Sequence, residues 1–391
     1  MKTAVITGAG NIGRGFIGQI MHEAGYKPVF LDVAAPIVDA LNSRGEYPLE
    51  IVSDAGGRRV TVSPVSAVNG SDRSAAARAI ADADIAVTCV GAKALKYTIP
   101  NLAAGIKLRY AEKKGPLDLL ICENLMDADG YIRSLLEPEL TEEELGSVGL
   151  VETSVGRMVP LPDPKLLEAE PLLVRAEAYG VLPCDKDAFR GEIPDIPALY
   201  PVSPFKYIIE RKLYIHNMGH AVCAYLGSAA GYERLADAIK DPLIRVAVTE
   251  AMTESAMALA KRFGRPLDAI MLHAGDLIRR FGNSALGDTC ARVGNDIPRK
   301  LARSDRLTGA AMSCIEAGYH PVFIAVGAAA ALRAYGGEDP KKDFESLSSV
   351  GVGEYHDDVL AFHEMMTAGA PLSEIIARAD RLKTERSGKI L

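Results

Sequence analysis

Apolar positions change their rhythm along this chain. Before about residue 180 they come in short unbroken runs closed by a glycine, an asparagine or an acid; beyond about residue 205 they recur every three or four positions. "KTAVIT" (Lys2–Thr7) is one such run, β-branched and of strand length, and "KPVFLDV", with Asp32 near its end, is another. Between them, apolar residues from Ile12 to Ala24 keep helical spacing. Further strands are predicted at "ADIAVTCVG" (Ala83–Gly91), "LDLLICEN" (Leu117–Asn124), "VGLVETSV" and "PLLVRAEAYG". "RGEYPLEIVS" and "RRVTVSPV" read as added strands in place of a crossover helix. The stretch Arg190–Phe205 carries four prolines and a glycine, breaks both rhythms, and is the best boundary candidate. After it, "FKYIIERKLYIHNMGHAVCAYLGSAAG", "PLIRVAVTEAMTESAMALAKRFG", "PLDAIMLHAGDLIRRFG" and "HPVFIAVGAAAALRAYGG" all read as helices, several closed by glycine.

The join between the first two strands carries chemistry. "GAGNIGRGFIG" begins at Gly8, directly after the first run, and opens the predicted helix. Gly8 permits a tight turn, Gly10 lets the backbone approach a pyrophosphate, and Gly13 lets helix and strand pack closely. The N–H groups of Asn11 and Ile12, at the positive end of the helix dipole, suit the pyrophosphate charge. Asp32 lies 19 residues after Gly13, placed to accept the adenosine ribose hydroxyls; a 2′-phosphate there would meet a like charge. Gly91 and Asn124 close later strands, at the edge where open parallel sheets bind ligands. The expectation is an α/β protein: a Rossmann-type NAD-binding domain with added strands over residues 1–195, and a mostly α-helical substrate domain over 196–391. Substrate is expected in a cleft between the two.

Composition narrows the class without changing it. Of 391 residues, 48% are apolar and 24% charged, enough for two cores, and the formal charge of −7 argues against nucleic acid or an acidic membrane surface as a partner. The first apolar run is too short for a secretory signal and no stretch is long enough to span a bilayer. Six scattered cysteines without a C-x-x-C pair suit a reducing cytoplasm and give no cysteine zinc site.

In the helical half, "RKLYIHNMGHA" (Arg211–Ala221) brings Lys212, Asn217 and His220 into one run. At about 100° per residue, Asn217 falls roughly 140° from Lys212 with His220 near the middle of that arc, on one broad side shared with Leu213 and Cys223. Spacing alone leaves two readings open, a solvated face and a proton-transfer site. Oxidising an alcohol with a nicotinamide removes a hydride from carbon and a proton from oxygen, by zinc or by a general base. With no zinc-ligating pattern read among the histidines and cysteines, a lysine base supported by asparagine amides at the developing alkoxide fits that need.

These residues resemble the polyol-specific long-chain dehydrogenases/reductases, the mannitol dehydrogenase family. The resemblance rests on "GAGNIGRGFIG", on "CEN" at Cys122–Asn124, on K-x4-N-x2-H at Lys212–His220, and on "FGNSALGDTCARVGNDIPRKLARSDRL" at Phe281–Leu307. It runs to about Tyr335 and implies a zinc-independent, NAD-dependent interconversion of a sugar alcohol, or its phosphate, and the ketose. It makes Lys212 the general base, puts Asn124 and Asn217 on the reacting oxygen, and gives His220 a substrate hydroxyl. It puts Arg299 near the substrate, and in a phosphate-specific branch Lys300, Arg303 and Arg306 would join it; the bland alternative is a solvated basic helix. A monomer or homodimer is implied. Where family members commonly read V-D-R-I, this chain has "VGRM" (Val155–Met158), so Gly156 replaces an acid expected near the substrate. A hexuronate such as fructuronate or tagaturonate, or a non-phosphorylated polyol, is the alternative substrate class. An NAD-binding sensor without catalysis is the alternative of another kind.

Overall fold

The unbroken apolar runs form one parallel sheet. Its strands are β1 (Thr3–Thr7), β2 (Lys27–Asp32), β5 (Ser66–Asn69), β6 (Ile85–Thr88), β7 (Leu117–Ile121) and β8 (Val148–Glu152), in the order β5-β2-β1-β6-β7-β8. All five pairings are parallel. A parallel sheet is covered on both faces, which is why these runs are continuous where an exposed sheet would alternate. Along β1, Ala4 and Ile6 enter one core with Phe16, Phe30 and Val87, while Val5 enters the other with Leu31, Ala86 and Leu119. Strand order reverses between β1 and β6, the topological switch point at which such sheets bind their ligands.

The computed structural model describes residues 1–54, 56–160 and 164–386. The added strands leave the main sheet: β3 (Tyr47–Ile51) pairs antiparallel with β4 (Arg58–Val62) and parallel with β9 (Val174–Ala176). The proline-rich stretch contains β11 (Leu199–Val202), which pairs in parallel with β10 (Leu182–Asp185), and Ile196 is buried in the first core. Two compact units result, Met1–Ile208 and Ile209–Leu391. All six cysteines are free and buried. Among the described residues, no helix is long and apolar enough to cross a membrane.

The second unit is helical. Its central element, Val322–Tyr335, buries every residue from Val322 to Leu332, and its alanines let neighbours approach on all sides. A Cβ on Gly327 would sit 2.4 Å from Cγ2 of Val222, so the helix Met218–Ala229 presses on it backbone to side chain. This contact anchors the helix that continues the "RKLYIHN" run. Val322–Tyr335 follows Pro321 and has no side-chain cap of its own. Glu254, on the helix Pro242–Phe263, supplies one: its carboxylate accepts from the N–H of Phe323 (2.9 and 3.1 Å) and of Ile324 (3.1 Å). Burial pushes the Glu254 carboxyl up to about 8, against those N–H groups and the Lys383 ammonium, which favour the charged form.

Two outcomes follow for stability. Gly327→Ala is expected to lower the urea-unfolding free energy by about 1–3 kcal/mol through overpacking against Val222. For Glu254, the unfolded carboxyl titrates near about 4.3, so through the window up to about pH 8 the folded chain holds a proton that the unfolded chain releases. Its contribution therefore declines as pH rises through that window. Glu254→Gln should flatten the pH dependence of unfolding there, and an unchanged slope would show that the group does not titrate so.

Candidate active site

The turn after β1 is built by backbone closeness. Gly8 has φ +106, where a side chain would be strained, and its Cβ would lie 2.7 Å from the carbonyl oxygen of Cys89. A Cβ on Gly13 would lie 2.0 Å from the carbonyl oxygen of Gly8, so the helix opens directly over the strand end. Gly10 differs: nothing lies within 4 Å of the place its Cβ would take. Among the described residues the N–H groups of Gly10, Asn11 and Ile12 find no acceptor, as at helix starts generally, and so remain open to an anion. Asp32 ends β2, and its carboxylate accepts from the N–H of Ala9 (2.7 Å) and of Ala34 (2.9 Å). An ionised carboxylate has about four lone-pair sites, so acceptor capacity remains for ribose hydroxyls. The open cradle, the unspent N–H groups and the acid fit NAD.

Gly91 and Asn124 follow β6 and β7. The residue just before Asn124 does more than the sequence indicates: Glu123 is buried and accepts from the N–H of Val90 (2.9 Å) and of Gly91 (2.8 Å). Burial raises its carboxyl against those two hydrogen bonds. It ties the two strand ends at the ligand edge together and leaves Asn124 exposed beyond them. A carboxylate two positions past a fully buried strand needs a local partner, and that was the available signal. At the departure from V-D-R-I, a Cβ on Gly156 would sit 3.2 Å from Cε1 of Tyr179, so the glycine is fitted to its place. Its neighbour Arg157 is buried, donating to the carbonyl of Glu177 (2.7 Å) and to Oε1 of Gln19 (2.8 Å).

The run Lys212–Asn217 is not α-helical. It is a π-helical turn between α-helices Lys206–Arg211 and Met218–Ala229. In a π-helix the bonding runs from i to i+5, so Lys212 and Asn217, five apart, are neighbours across one turn on the same side, as residues four apart are in an α-helix, where an unbroken α-helix would part them by roughly 140°. His220, three α-helical positions on, lies about 60° from Asn217. The wider turn gathers the three residues onto a narrower face than α-helical arithmetic gives.

The His220 imidazole stacks on Phe281, with centroids 4.8 Å apart, and its Nε2 lies 3.4 Å from Oδ2 of Asp288 without a hydrogen bond. Burial, with Arg292, Arg306 and other cations, lowers its pKa to about 3, and burial drives His216 well below its usual value. Both rings are neutral near pH 7, which suits a hydroxyl partner more than an anionic one. His216 and His220 stand four apart, a spacing zinc helices use and one that the zinc-free reading overlooks. Among the described residues, no group of three His, Cys, Asp or Glu side chains could hold a metal ion.

The basic cluster is partly neutralised. Arg299 donates to Asp296 (2.5 Å) and Asp305 (3.2 Å), and Arg306 donates to Asp305 (2.7 Å). Lys300 is buried, which together with Arg306 and Arg299 lowers its pKa to about 8. Arg303 points elsewhere, to the carbonyl of Ser349 (3.2 Å).

Two family models match the chain: the mannitol dehydrogenase Rossmann domain over residues 2–198 and the mannitol dehydrogenase C-terminal domain over 202–346. The chain belongs to the mannitol dehydrogenase family. Mannitol-1-phosphate 5-dehydrogenase of Bacillus licheniformis is 36% identical over 339 residues, 85% of this chain and 88% of that protein. Mannitol-1-phosphate 5-dehydrogenase of Brevibacillus brevis is 35% identical over 391 residues, 98% of this chain and 99% of that protein. Among solved structures, D-sorbitol dehydrogenase shares the fold with a TM-score of 0.79 at 16% identity, covering 96% of this chain and 95% of that one. Mannitol 2-dehydrogenase of Pseudomonas fluorescens, in ternary complex with NAD and D-mannitol, shares it at 0.69 and 13% identity, covering 97% and 94%.

The glycines make separable predictions. Gly10→Val places a side chain in the open cradle and should raise the NADH dissociation constant at least about tenfold while the thermal midpoint holds. Gly13→Ala should lower the midpoint by several degrees, because the helix must move off Gly8.

Proposed function

We propose that this family member is a zinc-independent, NAD-dependent oxidoreductase that interconverts mannitol 1-phosphate and fructose 6-phosphate. The observation that carries the reading is the π turn that puts Lys212 and Asn217 on one side with His220 beside them, in a chain whose relatives at 36% and 35% identity are mannitol-1-phosphate 5-dehydrogenases. Gly8, Gly10, Asn11, Ile12 and Gly13 cradle the pyrophosphate, Asp32 takes the adenosine ribose, and Gly91 borders the cofactor at the switch point. When bound, NAD supplies the hydride acceptor.

Lys212, unprotonated, takes the proton from the alcohol oxygen during oxidation and returns it during reduction. Asn217 and Asn124 donate amide hydrogens to the oxygen as charge develops there. Neutral His220, whose Nε2 is unspent, binds and orients a substrate hydroxyl. The phosphate falls to Arg299 and Arg306, which share Asp305, and to Lys300; Arg303, drawn to Ser349, is the weakest of the four candidates. The buried free thiols suit a reducing cytoplasm. We take the working form to be a monomer or homodimer acting on a small polyol or sugar phosphate.

Lys212→Ala is expected to lose about 10²–10⁴-fold in kcat for fructose 6-phosphate reduction while NADH binding survives. A variant that kept most of its turnover at every pH would falsify the lysine mechanism. A panel of fructose 6-phosphate, fructose and fructuronate, each with NADH and NADPH, should give the highest kcat/KM for the phosphate with NADH. Arg299→Ala should weaken the phosphorylated ketose more than the free one, and equal losses would remove Arg299 from phosphate recognition.

A further inference from the structure

Arg14 lies inside the glycine-rich run, yet the phosphate cradle makes no direct use of it. Its side chain is 7% exposed, folded beneath the turn. Nε donates to the carbonyl of Ala9 at 2.6 Å and a terminal nitrogen donates to the carbonyl of Leu172 at 2.7 Å. The planar guanidinium thus links the turn after β1 to the segment that leads into β9.

The consequence is stereochemical. In a trans peptide the C=O and the N–H of one unit point in opposite directions. Drawing the Ala9 carbonyl inward to Arg14 turns the N–H of Gly10, in the same peptide unit, outward, and that N–H finds no acceptor among the described residues. The preceding unit is fixed as well, because the Ala9 N–H is held by Asp32 at 2.7 Å. Both peptide units flanking Ala9 are therefore oriented by buried or half-buried side chains. The two acceptors of Arg14 are carbonyls, and the carboxylate whose field it feels is that of Asp32, which already holds the Ala9 N–H.

We propose that Arg14 is a positioning residue for the diphosphate of the cofactor: by holding the Ala9 carbonyl it aims the Gly10 N–H at the diphosphate oxygens. This rests on the NAD reading above. It touches no reacting atom, so its removal costs cofactor affinity and not the chemical step.

Amide exchange of the unaltered protein, read at Gly10, tests the geometry without a variant. NADH and ADP-ribose should slow Gly10 exchange at least about tenfold, and adenosine should not. In Arg14→Met, the KM for NAD and the NADH dissociation constant should rise about tenfold or more, with kcat at saturating NAD within about threefold and adenosine affinity within about twofold. Arg14→Lys, which keeps the charge but not the fork, should fall between. Tyr47→Phe removes the 2.7 Å bond from Tyr47 Oη to the Arg14 carbonyl and leaves Ala9 untouched, so it should lower the thermal midpoint and spare NADH affinity. Unslowed exchange at Gly10 with NADH bound would overturn the proposal, as would parallel losses of adenosine and NADH in Arg14→Met. Failure of the unaltered protein to bind NADH at all would instead overturn the cofactor reading, and this proposal with it.

Discussion

The amino-terminal unit depends on one close approach. The backbone of the helix that opens at Gly13 lies against the carbonyl of Gly8, so close that a single methyl group there would sit at 2.0 Å. That contact brings the helix end over the end of β1 and puts its N–H groups at the switch point of the sheet. Around it, Asp32 and Arg14 hold the Ala9 peptides, and Glu123 holds the turn after β6. The cradle is thus a rigid rim of backbone, fixed before any ligand arrives, with little side-chain entropy left to lose.

Among the described residues, π-helical geometry occurs twice, at Gly13–Ile17 and at Lys212–Asn217. The first follows the glycine-rich turn after β1 and the second holds Lys212 and Asn217, the residues proposed for proton transfer. A π turn closes its hydrogen bond over one more residue than its α-helical surroundings and leaves a less regular ladder, so it persists where neighbours compensate. In the first segment Tyr47 Oη bonds the carbonyl of Arg14 at 2.7 Å. In the second, the surplus residue brings Lys212 and Asn217 to the same side across one turn.

Much of this was legible in the chain. Buried parallel strands are continuous apolar runs, and the glycine turn with Asp32 at its proper distance marks the switch point; both features are local. What escaped reading depends on partners remote in sequence. Arg14 looks like an ordinary helix residue until Leu172, 158 positions on, is seen to share it. Glu123 sits beside the more conspicuous Asn124, and its role needs β6 alongside. The π turn at Lys212 has no compositional mark, since an extra residue in the turn does not alter which residues are apolar. The proline-rich stretch reads as a boundary, and that it also carries β11 was not legible, because that short strand forms only with β10 alongside. The charges from Arg299 to Arg306 read as a cationic patch, because their neutralisation depends on how Asp296 and Asp305 turn.

The cap on Val322–Tyr335 has a consequence for how the second unit comes together. The acceptor for its first N–H groups lies 69 positions earlier in the chain, on Pro242–Phe263. Starting a helix is its costly step, and this one starts behind a proline with no cap of its own. Its first turn is therefore completed only with Pro242–Phe263 alongside. During synthesis from the amino terminus, Glu254 emerges well before Phe323, so the scaffold precedes the most apolar helix of the unit. That order shelters an alanine-rich segment which, emerging alone, would have nothing to fold upon.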